Sequence, residues 1–308
     1  MNRNRLKKHV NDWITRLGSQ EKVSQKCGIS KTALSLWMSG KYGAETTNLE
    51  NKIAVALNYR ESDWVVVESV KNYRTIRFVF GQCREMHLWM AISSNAGSGK
   101  TQCLEHLYNN DLSDSVVFLQ AEEWAAHQFL IRLYEKLSTT PLKNGYITNS
   151  EIQDKIISLF NQMENPILII DEADKLKPSA LRRLIPIYNR TEERLGCILS
   201  GTENLEKEIK AGVRKHTKGY DEIDSRLGRS YISLDGLTEK DVYAICEANG
   251  LTDEDAKATV WSESDKTEKV VKVRTAQGIK DKAVLHCEDL RRLKRLIIRE
   301  KLMNKVKM

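Results

Sequence analysis

Apolar residues fall at Leu6, Val10, Ile14 and Leu17, a spacing of three to four that gives a helix one oily face. A short second helix over 20–26 carries Val23 and runs into Gly28, a turn residue. Ser30 can cap a third helix whose inner face is Ala33, Leu34 and Trp37, closed by Gly40. A fourth, from Asn48, buries Leu49, Ile53 and Leu57. The pattern predicts a small all-helical unit. Within 58–70, the run Trp64-Val65-Val66-Val67 reads as an extended linker that docks onto the next domain. From residue 88 the period changes. Unbroken apolar runs at 88–92, 116–119, 167–170 and 197–200 alternate with helical stretches at 102–108, 125–137, 151–163 and 180–188. Short runs of this kind are strands buried on both faces, so the alternation predicts α/β architecture, a parallel sheet flanked by helices. Thr238-Glu239-Lys240-Asp241-Val242 marks a helix start and opens a helical carboxyl-terminal region. Within that region, 259–278 is charged, poor in apolar residues, and reads as including a solvent-facing insertion. The division expected is 1–62, 63–235 and 236–308.

The net charge of +7 is unevenly spread. Residues 1–61 hold 11 Lys/Arg against 5 Asp/Glu, and residues 291–308 hold 8 against 1, which leaves the middle acidic. Two basic ends suggest a polyanionic partner, although the tail also fits the solvated face of an amphipathic helix. No apolar run is long enough for a membrane span, and residues 1–8 lack the apolar stretch of a secretion signal. Six cysteines, at 27, 83, 103, 197, 246 and 287, form no C-x-x-C pair. Neither a zinc site nor a disulfide framework is suggested, and a reducing cytoplasm is the natural setting.

Two segments carry chemistry. Ser93-Ser94-Asn95-Ala96-Gly97-Ser98-Gly99-Lys100-Thr101 stands between a strand and a helix whose first residues include Gln102. Glycines let the main chain approach a polyphosphate closely and aim successive N–H groups at it, at the positive end of the following helix. Gly97, Gly99, Lys100 and Thr101 build that cradle, with Ala96, Ser98 and Gln102 as further nucleotide-binding candidates; Lys100 would reach the β- and γ-phosphates of ATP, and the Thr101 hydroxyl would hold Mg²⁺. The pattern G-x-x-x-x-G-K-[ST] is broken at its first position, Ser94. Ile167-Leu168-Ile169-Ile170-Asp171-Glu172 then delivers two acids to the carboxyl edge of a buried strand, where α/β sheets bind ligands. Asp171 is the second metal-binding candidate, and Glu172 the base that orients and deprotonates the attacking water. Both segments, in order and each after an apolar strand, imply an ATPase.

Three resemblances extend this reading. Ser19 to Gly40 can be laid without a gap over the helix-turn-helix of the λ-repressor-like family. That implies a recognition helix over 31–38, with Lys31, Thr32 and Ser35 at base edges and Gln20 and Lys41 at phosphates. Ile198-Leu199-Ser200-Gly201-Thr202 resembles the AAA+ strand whose last polar residue, here Thr202, senses the γ-phosphate. Ile223-Asp224-Ser225-Arg226-Leu227 resembles the segment that supplies an arginine finger to a neighbouring subunit, and Leu290-Arg291 the lid arginine that contacts phosphate. Arg229 competes with Arg226, and Arg292 with Arg291. The succession of a helix-turn-helix unit, an AAA+ P-loop core and a short basic helical lid is similar to the MuB-like target-selection ATPases across nearly the whole chain. Gly28-Ile29-Ser30, Gly40-Lys41-Tyr42 and Ile169-Ile170-Asp171-Glu172-Ala173-Asp174 carry that likeness; Ser94 for glycine and Thr202 for asparagine depart from it. TnsC-like and IstB-like proteins are more distant relatives of the same logic. The resemblance implies ATP-dependent self-assembly as a filament on double-stranded DNA, and recruitment of a DDE transposase. It also implies core residues along the DNA, for which Lys143, with Asn144 and Tyr146, is the candidate.

Rival functions share parts of this pattern. Asp171-Glu172-Ala173-Asp174 also spells the helicase DEAD motif, but the chain has no room for a second motor half. A helix-turn-helix transcription regulator with a nucleotide switch would need specific operator reading, which Lys31, Thr32 and Ser35 do not promise. A replicative helicase loader would share the core and differ in its partner.

Overall fold

The computed structural model describes residues 3–43, 46–57, 59, 64–111, 113, 115–138, 140–142, 147–275 and 278–307, with backbone alone at 271–275, 278–280 and 305–307. Four helices come first: α1 (Arg3–Leu17), α2 (Gln20–Lys26), α3 (Lys31–Met38) and α4 (Thr47–Ala56). They bury Leu6, Val10, Val23, Leu34, Trp37 and Ile53 in a core of their own. Ser30 caps α3 as its position suggests, its hydroxyl accepting from Ala33 N at 3.1 Å.

The α/β unit comes next. Helix α5 (Lys71–Met86) precedes β1 (Trp89–Ser93), α6 (Lys100–Asn110), β2 (Val116–Gln120), α7 (Ala126–Leu137), α8 (Asn149–Gln162) and β3 (Ile167–Asp171). A 3₁₀ turn over Ala173–Lys175 leads to α9 (Pro178–Leu181), α10 (Leu184–Thr191), β4 (Gly196–Gly201), α11 (Glu203–Arg214), α12 (Tyr220–Arg226) and β5 (Tyr231–Ile232). The five strands are parallel, in the order β2-β3-β4-β1-β5. Successive side chains point to opposite faces of a strand. Leu168 and Ile170 therefore join one core with α7, α8 and α10, while Ile167 and Ile169 join the other with α5 and α6. That two-sided burial is why these strands read as unbroken apolar runs rather than as alternation.

The sequence pattern differs from the structure in three places. It assigns nothing to 71–86, where α5 forms. It runs one helix over 180–188, where the chain makes α9 and α10 with a break between them. It reads 259–278 as including a solvent-facing insertion. After α13 (Glu239–Ala248), α14 (Glu254–Glu263) extends through much of that stretch, and β6 (Lys266–Thr275) pairs antiparallel with β7 (Gly278–Cys287). The Val and Thr residues along β6 favour a strand, though too few positions are apolar to announce one. Helix α15 (Leu290–Lys307) ends the described chain. No described helix is long and apolar enough to cross a membrane.

Two contacts tie these units together. Arg16 of α1 lies between the rings of Trp13 and Tyr108, 4.6 and 4.3 Å from their centroids, and donates to the carbonyls of Tyr108 and Asp111. A cation there meets the negative end of α6, whose last carbonyls lack helical partners. Asn249 clamps the linker like a strand partner: its Oδ1 accepts from Val65 N at 2.8 Å and its Nδ2 donates to Val65 O at 3.2 Å.

Helix α5 packs closely on β4 at Gly196. A Cβ at Gly196 would stand 1.9 Å from Cys83 O, and main chain cannot swing aside as a side chain can. Gly196→Ala is expected to destabilise the fold by about 3 kcal/mol, read as a lower urea midpoint at unchanged slope. An unmoved midpoint would show that α5 is not held against β4.

Candidate functional site

The loop between β1 and α6 sits at the carboxyl edge of the sheet. Gly97 and Gly99 adopt positive φ of 86° and 91°, in the left-handed region open to glycine at little cost. A Cβ at Gly97 would lie 2.5 Å from Asp289 Oδ1, so these positions are also fixed by what covers them. Asn72 of α5, almost wholly buried, donates to Ser98 O at 3.2 Å and braces the loop from below. Ser94, where the phosphate-loop pattern has glycine, is buried as well. Its amide donates to Gly201 O and its hydroxyl accepts from Leu234 N. The serine therefore ties the loop's start to neighbouring main chain.

Lys100 is folded back over the loop. Its Nζ donates to Ser94 O at 2.7 Å, Asn95 O at 2.8 Å and Ser98 Oγ at 3.1 Å. Burial lowers its pKa, against the opposing pull of Asp171 and Asp174. Asp171 sits at the end of β3, buried, with both oxygens engaged: Thr101 Oγ1 donates to Oδ2 at 2.6 Å and Ser200 Oγ to Oδ1 at 2.8 Å. Burial raises its pKa, and these two hydroxyls hold it down. Glu172 takes left-handed φ and ψ of 55° and 36° and pairs with Lys175 Nζ at 2.5 Å. The hydroxyl of Thr202 donates to Asp174 Oδ2 at 2.6 Å and accepts from Asn204 N at the start of α11.

These groups line one cavity of about 310 Å³. It gathers Ala96, Gly97, Ser98, Gly99, Lys100, Thr101, Gln102, Asp171, Glu172, Thr202 and Arg291 from the sequence reading. Of the competing lid arginines, Arg291 lines the cavity, while Arg292 pairs with Asp265 at 2.9 Å. Sequence reasoning missed the cavity's apolar end: Trp64, Val66 and Val67 of the linker, with Ile245 and Lys294 of the lid. Lys294 Nζ lies 5.1 Å from the Trp64 ring centroid. The apolar run in the linker was the signal; that its surface would face a ligand was not readable from it.

Other candidates lie elsewhere. Arg226 is absent from this cavity; it donates to Asn189 Oδ1 at 2.6 Å and to Glu222 O, with its guanidinium 5.2 Å from the Tyr188 ring centroid. Arg229 pairs with Asp221 at 3.3 Å. Lys31, Thr32, Ser35 and Lys41 are exposed on the helical bundle and Gln20 is half-buried, with Lys31 held by Glu21 at 3.2 Å. Lys143, Asn144 and Tyr146 lie outside the described residues.

The cavity's lining suits a nucleoside triphosphate, with loop N–H groups and an ammonium for phosphates and apolar side chains for a base. Thr101 and Asp171 bring a hard hydroxyl and carboxylate oxygen together, 2.6 Å apart. Mg²⁺ takes one or two such protein oxygens and fills its shell from phosphates and water, so this pair fits it. Among the described residues no cluster of three His, Cys, Asp or Glu could hold a metal alone.

A family model described as an AAA domain matches residues 86–209. The Mu-like prophage FluMu DNA transposition protein B of Haemophilus influenzae is 24% identical over 269 residues, covering 84% of this chain and 89% of that protein. Among solved structures, the Aeropyrum pernix ORC1 protein in complex with DNA aligns with TM-score 0.47 and 14% identity, over 79% of this chain and 62% of its own. Cdc6p from Pyrobaculum aerophilum aligns with TM-score 0.44 and 14% identity, over 57% of this chain and 48% of its own. The chain thus spans about half to three fifths of the length of these two solved proteins.

Lys100→Ala is expected to weaken binding of a fluorescent ATP analogue by at least about a hundredfold, since a charge-assisted contact and its fixed geometry go together. Affinity within about twofold of the parent, measured by titration, would remove the lysine from the site.

Proposed function

The chain belongs with the MuB-like AAA+ ATPases, and from that premise we propose that it is the ATP-dependent DNA-binding protein of a transposition system. On this reading it polymerises on target DNA, selects target sites, and recruits and stimulates a DDE transposase. The reading rests on one observation above others: a cavity lined by linker, phosphate loop, Asp171 and lid, in a chain similar over 84% of its length to a DNA transposition protein.

The residues have separable tasks. The amino end of α6 presents N–H groups to the phosphates. Lys100 exchanges the loop carbonyls for phosphate oxygens, and the polyanion compensates for the cost of its burial. Thr101 and Asp171 hold Mg²⁺, which when bound neutralises developing charge on the phosphates. Glu172 leaves Lys175 to orient and deprotonate the attacking water, and Thr202 monitors the γ-phosphate from the next strand. Arg291 contacts phosphate from within the subunit. Arg226 acts on the neighbouring copy, so hydrolysis depends on assembly.

On the nucleic-acid side, α3 enters the major groove with Lys31, Thr32 and Ser35, while Gln20 and Lys41 take phosphates. Lys143 follows the duplex along the inner surface of the assembly. These groups offer little bidentate base reading, so binding is weakly sequence-dependent and dominated by phosphate contacts. The units 1–62, 63–235 and 236–308 correspond to DNA-binding, ATPase and lid functions.

Glu172→Gln is expected to retain ATP affinity while turnover falls by at least about a hundredfold, leaving persistent assemblies on DNA in electron micrographs. Undiminished turnover would deprive Glu172 of its role. With the parent protein, ATP and random-sequence duplex should give filaments. Isolated dimers would favour a transcription regulator, and monomers would overturn the assembly.

DNA affinity should fall linearly on a logarithmic plot against salt, with a slope near −0.9 per phosphate neutralised. An affinity indifferent to salt would contradict phosphate-led binding.

A further inference from the structure

Helix α13 closes on its own main chain: Gly250, at a φ of 80°, donates to Glu247 O at 2.9 Å, and Leu251 N donates to Cys246 O at 2.9 Å. The side chain of Asn249, the residue before that glycine, is therefore free for other work. Asn249 is buried, and its amide is fully engaged. Oδ1 accepts from Val65 N at 2.8 Å, while Nδ2 donates to Val65 O at 3.2 Å and to Ile245 O at 2.9 Å. A primary amide has one accepting end and one donating end, and each here faces its complement. Turned over, it would set its amino group against the Val65 N–H and its oxygen against two carbonyls, so one orientation alone fits.

Both partners of this clamp belong to the cavity wall. Val65 stands between Trp64 and Val66, and these three line the apolar end of the cavity together with Ile245. Asn249 itself is not among the lining residues. The Val65 side chain is 48% exposed, so burial holds this residue weakly and the paired main-chain bonds hold it better. Lys301 of α15 donates to Asn249 O at 2.7 Å, and Lys294 of the same helix lies over the Trp64 ring. The clamp thus joins linker, α13 and α15 at the point where the apolar wall is made.

We propose that Asn249 is a positioning residue for the nucleobase: by fixing the main chain of Val65 beside that of Ile245, it sets Trp64, Val66 and Ile245 as one apolar wall before nucleotide arrives. The proposal rests on the nucleotide reading of the cavity. Preorganisation of this kind raises affinity by removing an ordering cost from the binding step. Its effect falls on the base. The phosphates are met by the loop and the start of α6, which carry no bond of the clamp. A merely structural role for Asn249 would weaken base and phosphate binding alike, because Arg291 rides on the same lid.

The test compares ATP with inorganic tripolyphosphate, which carries phosphates without a base, by calorimetric titration of the full chain in the presence of Mg²⁺. Asn249→Ala is expected to weaken ATP binding by at least about tenfold while tripolyphosphate affinity stays within about twofold of the parent. Asn249→Asp, close in shape, keeps the acceptor for Val65 N but brings no donor to the two carbonyls, and the same selective loss is expected. Hydrogen exchange on the parent protein keeps the test decisive if both variants melt early: residues 64–67 should gain protection with ATP and none with tripolyphosphate. Unchanged ATP affinity in Asn249→Ala, equal losses for the two ligands, or linker exchange indifferent to ATP would each overturn the proposal. A parent chain that binds neither ligand would overturn the nucleotide reading itself, and the proposal with it.

Discussion

The carboxylate of Asp171, buried at the end of the central strand, is the interaction on which the site depends. An unpaired charge there would be costly, and it is tolerated because hydroxyls from two other elements reach it. Thr101 comes from α6 and Ser200 from β4, so a single buried acid ties the phosphate-loop helix to adjacent strands. The apolar residues before it in β3 hold this junction still: all are buried, and their side chains alternate between two cores. Lys100 sits beside it with its charge satisfied by loop carbonyls, a substitute that a triphosphate can displace.

Above the junction, closure comes from parts distant in sequence. Leu290 N donates to Gly97 O at 2.9 Å, so the lid helix starts directly on the phosphate loop. Asn95 Nδ2 reaches Glu288 Oε2, and Glu288 in turn pairs with Lys269 of the β6–β7 hairpin at 2.7 Å. On the far side Asn249 grips the linker main chain at Val65, and Lys301 donates to Asn249 O at 2.7 Å. Lid and linker therefore form one roof over the cavity rather than two independent flaps. The apolar slot is made where they meet.

The parts of this structure that were legible in the sequence are those whose residues report their own surroundings. A run such as Ile167 to Ile170 is intelligible only as a strand buried on both faces, and glycines before Lys100 only as a loop approached closely by something. Ser30 and Thr238 announce helix starts because capping is a property of one residue and the next three. What stayed hidden depends on partners. Helix α5 is amphipathic, yet its role in bracing the loop through Asn72 needs the loop in place. The docking of Arg16 on Tyr108 and Asp111 joins residues some ninety positions apart and leaves no local mark. The choice between Arg291 and Arg292 is a matter of which faces the cavity, and adjacent residues of like charge cannot be told apart by composition.

In the resting chain the candidate base and the candidate finger are both occupied by internal partners. Glu172 is held by Lys175 across an ion pair partly open to solvent, and Arg226 is bound to Asn189 and the Glu222 carbonyl. An ion pair as open as Glu172–Lys175 is worth little, about 0–1 kcal/mol, so that hold is not a lock, whereas the Arg226 side chain is only 17% exposed. Each is nevertheless a competitor that a productive geometry has to displace. Glu172 also stands in a left-handed conformation, at a cost of order 1–3 kcal/mol, which the surrounding turn over Ala173–Lys175 must enforce. On the proposed function, a chain arranged this way hydrolyses slowly alone, and the γ-phosphate and a neighbouring copy would supply the groups that draw base and arginine away from their internal partners.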